Sequence, residues 1–311
     1  MTPRIAALLG AAALCLAVPV PAASQPAGQA VPDVKPGVEA KVEAKVEANE
    51  RPVLRVCQDP NNLPFSRRDL AGFENRIAAL FAQELGWDIA YTWFPQRMGF
   101  IRNTLRAKEP GTDRFKCDLV TGVATGFDLG IVTRPYYRST YAMAYVTGNG
   151  LDGVRSLDDL LALPAERRAR LKLGVFGGSP VADWLLAHGM MGQVVSYQPQ
   201  SGDAEQYPGQ IVENDLAEGK VDIAFVWGPI AGYFAGRSPQ HRIVAVPLAS
   251  PPGSRFDFEI AMAVRFGDKE LKQRIDGLID SNRERIGAIL AEYGVPLLDA
   301  QGRLIETDRA R

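Results

Sequence analysis

Between residues 52 and 146, apolar strands alternate with amphipathic helices, and this alternation constrains the fold more than any other feature of the chain. The first predicted helix carries a stripe of apolar residues at helical spacing, namely Phe73, Ile77, Leu80, Phe81 and Leu85. The predicted order is strand, helix, strand, helix, strand, at residues 53–57, 72–85, 88–94, 98–107 and 118–123. Two strand–helix–strand crossovers in succession predict a parallel sheet covered by helices, which is an α/β fold.

A second α/β set follows the first and is connected to it twice. Residues 135–146 predict a long strand that crosses between two lobes, and residues 256–264 predict an antiparallel strand that returns. Between them, strands are predicted at 171–176, 221–227 and 242–247, with helices at 181–187 and 211–218, and closing helices follow at 271–293. We therefore expect lobe I to comprise residues 51–146 and 248–311, and lobe II residues 147–247, around a hinged cleft.

The first fifty residues are predicted to lie outside both lobes. Arg4 precedes an apolar run at residues 5–18, and small residues at 20 and 22 fit a signal-peptidase site. The run is shorter than the about 20 residues of a membrane span, so residues 1–22 are interpreted as a signal peptide cleaved near Ala22. Residues 23–50, rich in Ala, Pro, Glu and Lys, are expected to form a disordered linker.

Composition and motifs argue against several classes of function. A formal net charge of −1 over 311 residues gives no reason to expect nucleic acid or an anionic membrane as a partner. The two histidines, His188 and His241, are far apart and lack the spacing of metal ligands. A Gly-x-Ser-x-Gly elbow and a Lys-Ser/Thr phosphate loop are both missing from the sequence. We therefore expect a protein that is not an enzyme and that holds neither a metal nor a cofactor.

Two cysteines, Cys57 and Cys117, remain after the predicted cleavage. An oxidising compartment favours a disulfide between them. A three-residue stagger between neighbouring parallel strands, however, would exceed the reach of a disulfide. Both outcomes remain open from the sequence.

Candidate binding residues lie where the predicted strands end, because ligands of open α/β sheets lie beyond the carboxyl ends of the strands. After the first strand these residues are Asp59, Asn61, Asn62 and Phe65, and after the second they are Trp93, Gln96, Arg97 and Arg102. The second group could bind an aromatic, anionic or peptidic partner. The structural alternatives are local capping by Asp and Asn, core packing of Trp93, and solvated arginines.

Four further candidates are Tyr137, Arg138, Ser179 and Trp227. Tyr137 and Arg138 belong to the crossing strand, where packing of the hinge is the structural alternative. Ser179 precedes Pro180 at a predicted helix start, which suits either an anion or simple capping. Trp227 ends a buried strand and either lines the cleft or packs in the core.

The sequence resembles the type II periplasmic solute-binding proteins across residues 51 to about 296. It resembles one branch most, the J-type periplasmic protein encoded with quinoprotein dehydrogenases in methanol-oxidation operons. The matching runs are Cys57-Gln58-Asp59-Pro60-Asn61-Asn62-Leu63-Pro64-Phe65, Tyr91-Thr92-Trp93-Phe94-Pro95-Gln96-Arg97 with Gly99-Phe100-Ile101-Arg102-Asn103-Thr104-Leu105, and Arg134-Pro135-Tyr136-Tyr137-Arg138-Ser139. The resemblance implies two lobes, each a mostly parallel sheet flanked by helices.

The resemblance also implies a periplasmic, non-catalytic accessory role in the maturation or activation of a dehydrogenase. The implied partner is a methanol or alcohol dehydrogenase that uses pyrroloquinoline quinone, in a calcium or lanthanide form, with its cytochrome c as a further candidate. Amino-acid binders of this class usually place an Arg after the third strand and an Asp after the lobe II strand. Here residues 124–130 contain no Arg, and Trp227 occupies the second place. The alternative function is a receptor that delivers a small non-amino-acid ligand to an ABC importer.

Overall fold

The computed structural model describes residues 52–96, 98–198, 203, 205–238 and 240–305. The predicted signal peptide, the predicted linker and Arg97 lie outside the described residues. Within them, no helix is both long enough and apolar enough to cross a membrane.

The strands largely follow the predicted order. They are β1 (Val53–Gln58), β2 (Asn61–Asn62), β3 (Ser66–Arg67), β4 (Asp88–Trp93), β5 (Leu119–Ala124), β6 (Ile131–Val132), β7 (Tyr137–Val146), β8 (Leu173–Phe176), β9 (Val194–Tyr197), β10 (Ile223–Trp227), β11 (Ile243–Pro247) and β12 (Asp257–Val264). The helices are α1 (Phe73–Leu85), α2 (Phe100–Asn103), α3 (Leu157–Ala162), α4 (Ala165–Arg168), α5 (Pro180–Ala187), α6 (Gly228–Ala235), α7 (Lys269–Ser281) and α8 (Arg283–Glu292). The predicted helix at 211–218 is a π-helical segment, Ile211–Leu216.

One mixed sheet runs through these elements in the order β4-β1-β5-β12-β7-β10-β8-β9, with β6 on β12 and β11 on β7. The pairs of β1 with β4 and β5, and of β8 with β9 and β10, are parallel. Strand β7 is antiparallel to β12 through residues 137–140 and antiparallel to β10 and β11 through residues 141–146. We name β4, β1, β5, β6 and β12 the first sheet half, and β10, β8, β9 and β11 the second; β7 belongs to both.

Helix α1 covers the first sheet half and is bounded by two glycines. Gly72 is its N-cap, where a Cβ would lie 2.1 Å from the carbonyl oxygen of Phe65, so the loop and the helix start approach too closely for a side chain. Gly86 ends the helix in the left-handed conformation, as expected for a C-cap glycine. The buried stripe contains Phe73, Ile77 and Phe81.

The second helix predicted over residues 98–107 forms only as α2, Phe100–Asn103, so its predicted length is wrong. The Asn103 Nδ2 donates to the Gly99 carbonyl oxygen at 2.9 Å, and the Thr104 hydroxyl donates to that of Phe100 at 2.7 Å. Asn and Thr side chains that bond nearby carbonyl groups offer the backbone an alternative to helix. The chain then turns, and an isolated bridge joins Lys108 to Phe115.

Cys57 and Cys117 form a disulfide with a Cα–Cα distance of 5.5 Å. The geometric objection from a three-residue stagger is wrong here, although Cys57 does face Val120 in the ladder. The Lys116 carbonyl accepts a hydrogen bond of 2.6 Å from the Thr92 hydroxyl, and Thr92 faces Cys57 from β4. Just before β5, the chain therefore passes over β1 on one face of the sheet. This path brings Cys117 beside Cys57.

Candidate functional site

The loop after β1 forms a hydrogen-bonded cluster with the loop after β4. The Asp59 carboxylate accepts from the backbone nitrogens of Asn61, at 2.8 Å, and of Gln96. The Asn62 Nδ2 donates to Gln96 Oε1 at 3.1 Å, and Asn62 is buried. The Asn61 Nδ2 reaches the Glu205 carbonyl at 3.3 Å, in the segment that precedes the π-helix. The structure thus brings together four of the predicted site residues, Asp59, Asn61, Asn62 and Gln96, and uses them to join loops.

The remaining lobe I candidates separate into packed and exposed residues. Phe65 packs edge-on against Phe73, with ring centroids 5.4 Å apart. Trp93 is half-buried, stacks on Tyr91 at 5.0 Å and carries the Arg68 guanidinium 5.7 Å from its ring centroid. Arg102 is exposed on α2.

An exposed surface follows the carboxyl end of β4. Met98 is 89% exposed, the highest value among the exposed large apolar side chains of the described residues. It lies in the chain between Gln96 and Arg102. We name Arg68, Trp93, Gln96, Met98 and Arg102 the β4 rim, because Arg68 contacts Trp93 at the end of β4 and the other three follow that strand in the chain. Together they carry an aromatic ring, a thioether and two guanidinium groups.

Aromatic side chains fill the region where the two sheet halves meet. Tyr137 is buried, and its ring centroid lies 6.0 Å from that of Phe73. Burial raises the pKa of Tyr137 well above its usual value, while an interaction with the Trp227 side chain acts in the opposite direction. Trp227 lies edge-on to Tyr141 at 5.4 Å and to Phe258 at 6.0 Å. We name these five residues the aromatic layer.

Arg138 and Ser179 have structural partners. The Arg138 Nε donates to the Asp257 carboxylate at 2.8 Å, and its Nη1 donates to the Ala300 carbonyl at 3.0 Å. Ser179 is the buried N-cap of α5 and accepts from the Ala182 backbone nitrogen at 3.3 Å.

A buried carboxyl group, Glu74, was missed by the sequence reasoning. It accepts hydrogen bonds from the Thr121 hydroxyl at 2.6 Å and from the Tyr136 phenol at 3.0 Å. Burial raises the pKa of Glu74 to about 7, even though both hydrogen bonds favour the charged form. A Cβ on Gly122 would lie 2.5 Å from Glu74 Oε1, so this glycine makes room for the carboxyl group. The glycine inside a buried strand was the available signal.

The Glu74 carboxyl group belongs to a polar network that links β1, β5 and α1. The Gln58 Nε2 donates to the Thr121 hydroxyl at 3.2 Å, and the Asn75 Nδ2 donates to Gln58 Oε1. Asn75 Oδ1 in turn accepts from the backbone nitrogens of Gly72 and Arg67, each at 3.1 Å. Among the described residues, no group of three or more His, Cys, Asp or Glu side chains could hold a metal ion. The network therefore fixes the start of α1 and supplies one titrating carboxyl group.

Comparison with known proteins places the chain in a family. No protein-family model matches it. MoxJ of Methylorubrum extorquens is 29% identical over 260 residues, which cover 79% of this chain and 82% of MoxJ. MoxJ of Paracoccus denitrificans is 26% identical over 256 residues, 79% of this chain and 89% of that protein.

Two solved structures that are similar to this chain indicate the same family. The crystal structure of MxaJ from Methlophaga aminisulfidivorans MPT shares the fold, with 24% identity, a TM-score of 0.61 and coverage of 79% of this chain and all of that chain. The periplasmic binding protein XoxJ from Methylobacterium extorquens AM1 is 34% identical, with a TM-score of 0.63, over 79% of this chain and 99% of that chain. This chain therefore belongs to the MoxJ-type proteins and has the two-lobed, type II periplasmic binding protein fold.

Proposed function

We propose that the protein is a non-catalytic periplasmic accessory protein of methanol oxidation, which assists the maturation or activation of a PQQ-dependent methanol or alcohol dehydrogenase. The observation that carries the proposal is the aromatic layer. Phe73, Tyr137 and Trp227 lie where the sheet halves meet. Trp227 follows the lobe II strand where amino-acid binders of this class usually place an Asp, and an aromatic ring cannot neutralise an ammonium group as a carboxylate does. The similarity to MoxJ and XoxJ supports the same assignment.

The β4 rim is the surface that we assign to the dehydrogenase. Interface hot spots are enriched in Trp and Arg, and Met is also enriched at protein interfaces. The rim presents Trp93 under the Arg68 guanidinium, and the exposed Met98 and Arg102 follow Trp93 in the chain. Asp59 and Asn62 hold Gln96, one member of the rim, in place through hydrogen bonds.

Export through a signal peptide cleaved near Ala22 belongs to the same proposal. The relatives are periplasmic binding proteins, and a dehydrogenase partner would meet the mature chain in that compartment. The lobe boundaries at about residues 146 and 248 are likewise proposed, with β7 and β12 as the connections.

Capture of the dehydrogenase from periplasm tests the proposal. Tagged chain comprising residues 23–311 would be incubated with periplasmic extract of methanol-grown cells, and bound protein would be identified after cross-linking. We expect capture of the dehydrogenase, with its cytochrome c as a further candidate. The double variant Met98→Ser/Arg102→Gln should reduce capture by about tenfold or more, because a contributing interface residue costs more than about 1 kcal/mol when truncated and about 1.4 kcal/mol is a factor of ten.

The matched control is Phe266→Ser/Arg170→Gln, which also replaces one exposed apolar residue and one exposed arginine, outside the rim. It should change capture by less than about twofold, as expected for residues outside an interface.

Trp227→Ala tests the aromatic layer in the same assay. Absence of any contact with the dehydrogenase, together with full dehydrogenase activity in a deletion strain, would refute the proposal. Recovery of a permease in place of the dehydrogenase would support an importer receptor instead.

A further inference from the structure

A cavity of about 210 Å³ lies between the β2–β3 hairpin and the region of the π-helix and α6. The hairpin contributes Asn61, Leu63 and Arg67 to its lining. The opposite wall comes from the segment around the π-helix, from α6, and from Arg237, two residues beyond the end of α6. None of the described lining residues belongs to the aromatic layer or to the β4 rim, so the cavity is separate from the surface assigned to the dehydrogenase.

Two arginines line the cavity from opposite walls. Arg237 is exposed, and its guanidinium lies 4.0 Å from the ring centroid of Tyr233. Among the described residues, no carboxylate forms an ion pair with Arg237. Arg67 pairs with Asp69 through Nε and Nη2, which leaves Nη1 outside that ion pair. A guanidinium group on an aromatic face is well suited to receive a carboxylate.

Glu213 is the one acidic side chain in the part of the lining that the structure describes. It has a partner of its own, because the Tyr207 phenol donates a hydrogen bond to its carboxylate. The charged groups of this lining are Arg67, Glu213 and Arg237, and Arg67 is balanced by Asp69 from outside the lining. Arg237 is the charged group of the described lining whose side chain no ion pair or hydrogen bond with another described residue engages, and it favours a ligand with one negative charge.

Aromatic rings form the remaining walls. Tyr207 and Phe234 have ring centroids 6.2 Å apart at 32°, and Tyr233 meets Phe234 edge-on at 5.0 Å. An apolar cavity of about 150 Å³ in a protein core binds benzene, so about 210 Å³ accommodates one ring with a carboxylate attached. Aromatic side chains in the lining favour a flat apolar body over a saturated one, because rings pack on one another offset or edge-to-face.

We infer that this cavity is a binding site for a small organic monoanion with a planar apolar body, typified by an aromatic carboxylate. The Arg237 guanidinium receives the carboxylate, with Arg67 completing the contact from the hairpin. The ring lies among Tyr207, Tyr233 and Phe234. Because the hairpin and α6 lie on opposite walls, the bound anion also joins these two parts of the molecule.

Isothermal titration calorimetry of the chain comprising residues 23–311 with sodium benzoate, at low ionic strength, tests the inference. We expect saturable binding to one site, with weaker binding of cyclohexanecarboxylate and no binding of benzylamine. Arg237→Met should weaken benzoate binding about tenfold or more, because a charge-assisted hydrogen bond is lost. Arg170→Met changes an exposed arginine outside the lining in the same way, and it should alter the dissociation constant less than about twofold, as expected for a distant surface charge.

Glu213→Gln is a second variant whose expected effect, tighter binding, cannot be produced by misfolding. It removes the negative charge from the lining and should tighten benzoate binding severalfold. The inference is overturned if benzoate shows no saturable binding, if benzylamine binds more tightly than benzoate, or if Arg237→Met and Glu213→Gln both leave the affinity unchanged. None of these outcomes bears on capture of the dehydrogenase, so this inference and the proposed function fail independently.

Discussion

The Tyr136 phenol donates a hydrogen bond of 3.0 Å to Oε1 of Glu74, and both side chains are buried. A second donor, the Thr121 hydroxyl, reaches the other carboxyl oxygen. Two neutral hydrogen bonds do not offset the loss of hydration for a charged carboxylate, so burial dominates and the pKa of Glu74 lies at about 7.

Stability should therefore depend on pH through Glu74. The folded protein binds this proton more tightly than the unfolded chain, whose Glu pKa is about 4.5, so stability falls as pH rises from about 4.5 through 7. A shift of this size corresponds to about 3 kcal/mol. Urea unfolding of the wild type at pH 5 and pH 8 should show a difference of that order. Glu74→Gln should remove most of it, whereas Glu166→Gln, at an exposed position, should leave it intact.

Gly122→Ala should cost more stability than Gly148→Ala. Both glycines have positive φ, +69° and +84°, so each substitution incurs the backbone penalty of about 1–2 kcal/mol. Only at Gly122 would the new methyl group also collide with the Glu74 carboxyl group, because a Cβ on Gly148 would have no heavy atom within 4 Å beyond its chain neighbours. We expect Gly122→Ala to lower the free energy of unfolding by about 2 kcal/mol beyond the control. Equal losses in the two variants would contradict the crowding at Gly122.

Loss of the Cys57–Cys117 disulfide should destabilise the protein strongly. The bond closes a loop with a sequence separation of 60, for which the chain-entropy estimate is about 4 kcal/mol. The double variant Cys57→Ala/Cys117→Ala should show this loss in chemical unfolding. Reducing agent should destabilise the wild type by a similar amount and leave the double variant unchanged. A wild type that is insensitive to complete reduction would contradict the prediction.

Arg138→Met should affect stability and leave partner capture unchanged. The Arg138–Asp257 ion pair is partly buried. Burial by itself raises the pKa of Asp257, but hydrogen bonds from Ser250 and Arg138 outweigh it and hold the pKa below its usual value. Removing the guanidinium should cost about 2 kcal/mol, and Asp257→Asn in the same chain should recover part of the loss. Dehydrogenase capture by Arg138→Met at a temperature where it remains folded should match the wild type.

The fold was largely predictable because its elements depend on local pattern. The stripe through Phe73, Ile77 and Phe81, with Gly86 beyond it, defines α1 without reference to any other part of the chain. The prediction for the segment after Gly99 failed because Asn103 and Thr104 turn their side chains back onto helical carbonyl groups, a competition that apolar spacing does not reveal.

The candidate site was predictable in location and less so in role. Asp59, Asn62 and Gln96 lie at strand ends, as expected, but they bond to one another across two loops. Glu74 in the first turn of α1 looks like an ordinary acid at a helix start, and only tertiary packing against β5 buries it. Arg67 and Arg237 are separated by most of the chain, and no short-range pattern relates them.

The position of β12 between β5 and β7 determines when the chain can complete its fold during synthesis. Residues 257–264 supply the strand through which the first sheet half meets β7, yet they come after the whole of the second half in the chain. A nascent chain that has been made only as far as β11 lacks this strand, so β5 keeps an open edge. The first sheet half consequently stays incomplete until residue 264 has been synthesised, so its folding has to follow synthesis of the second half and cannot precede it.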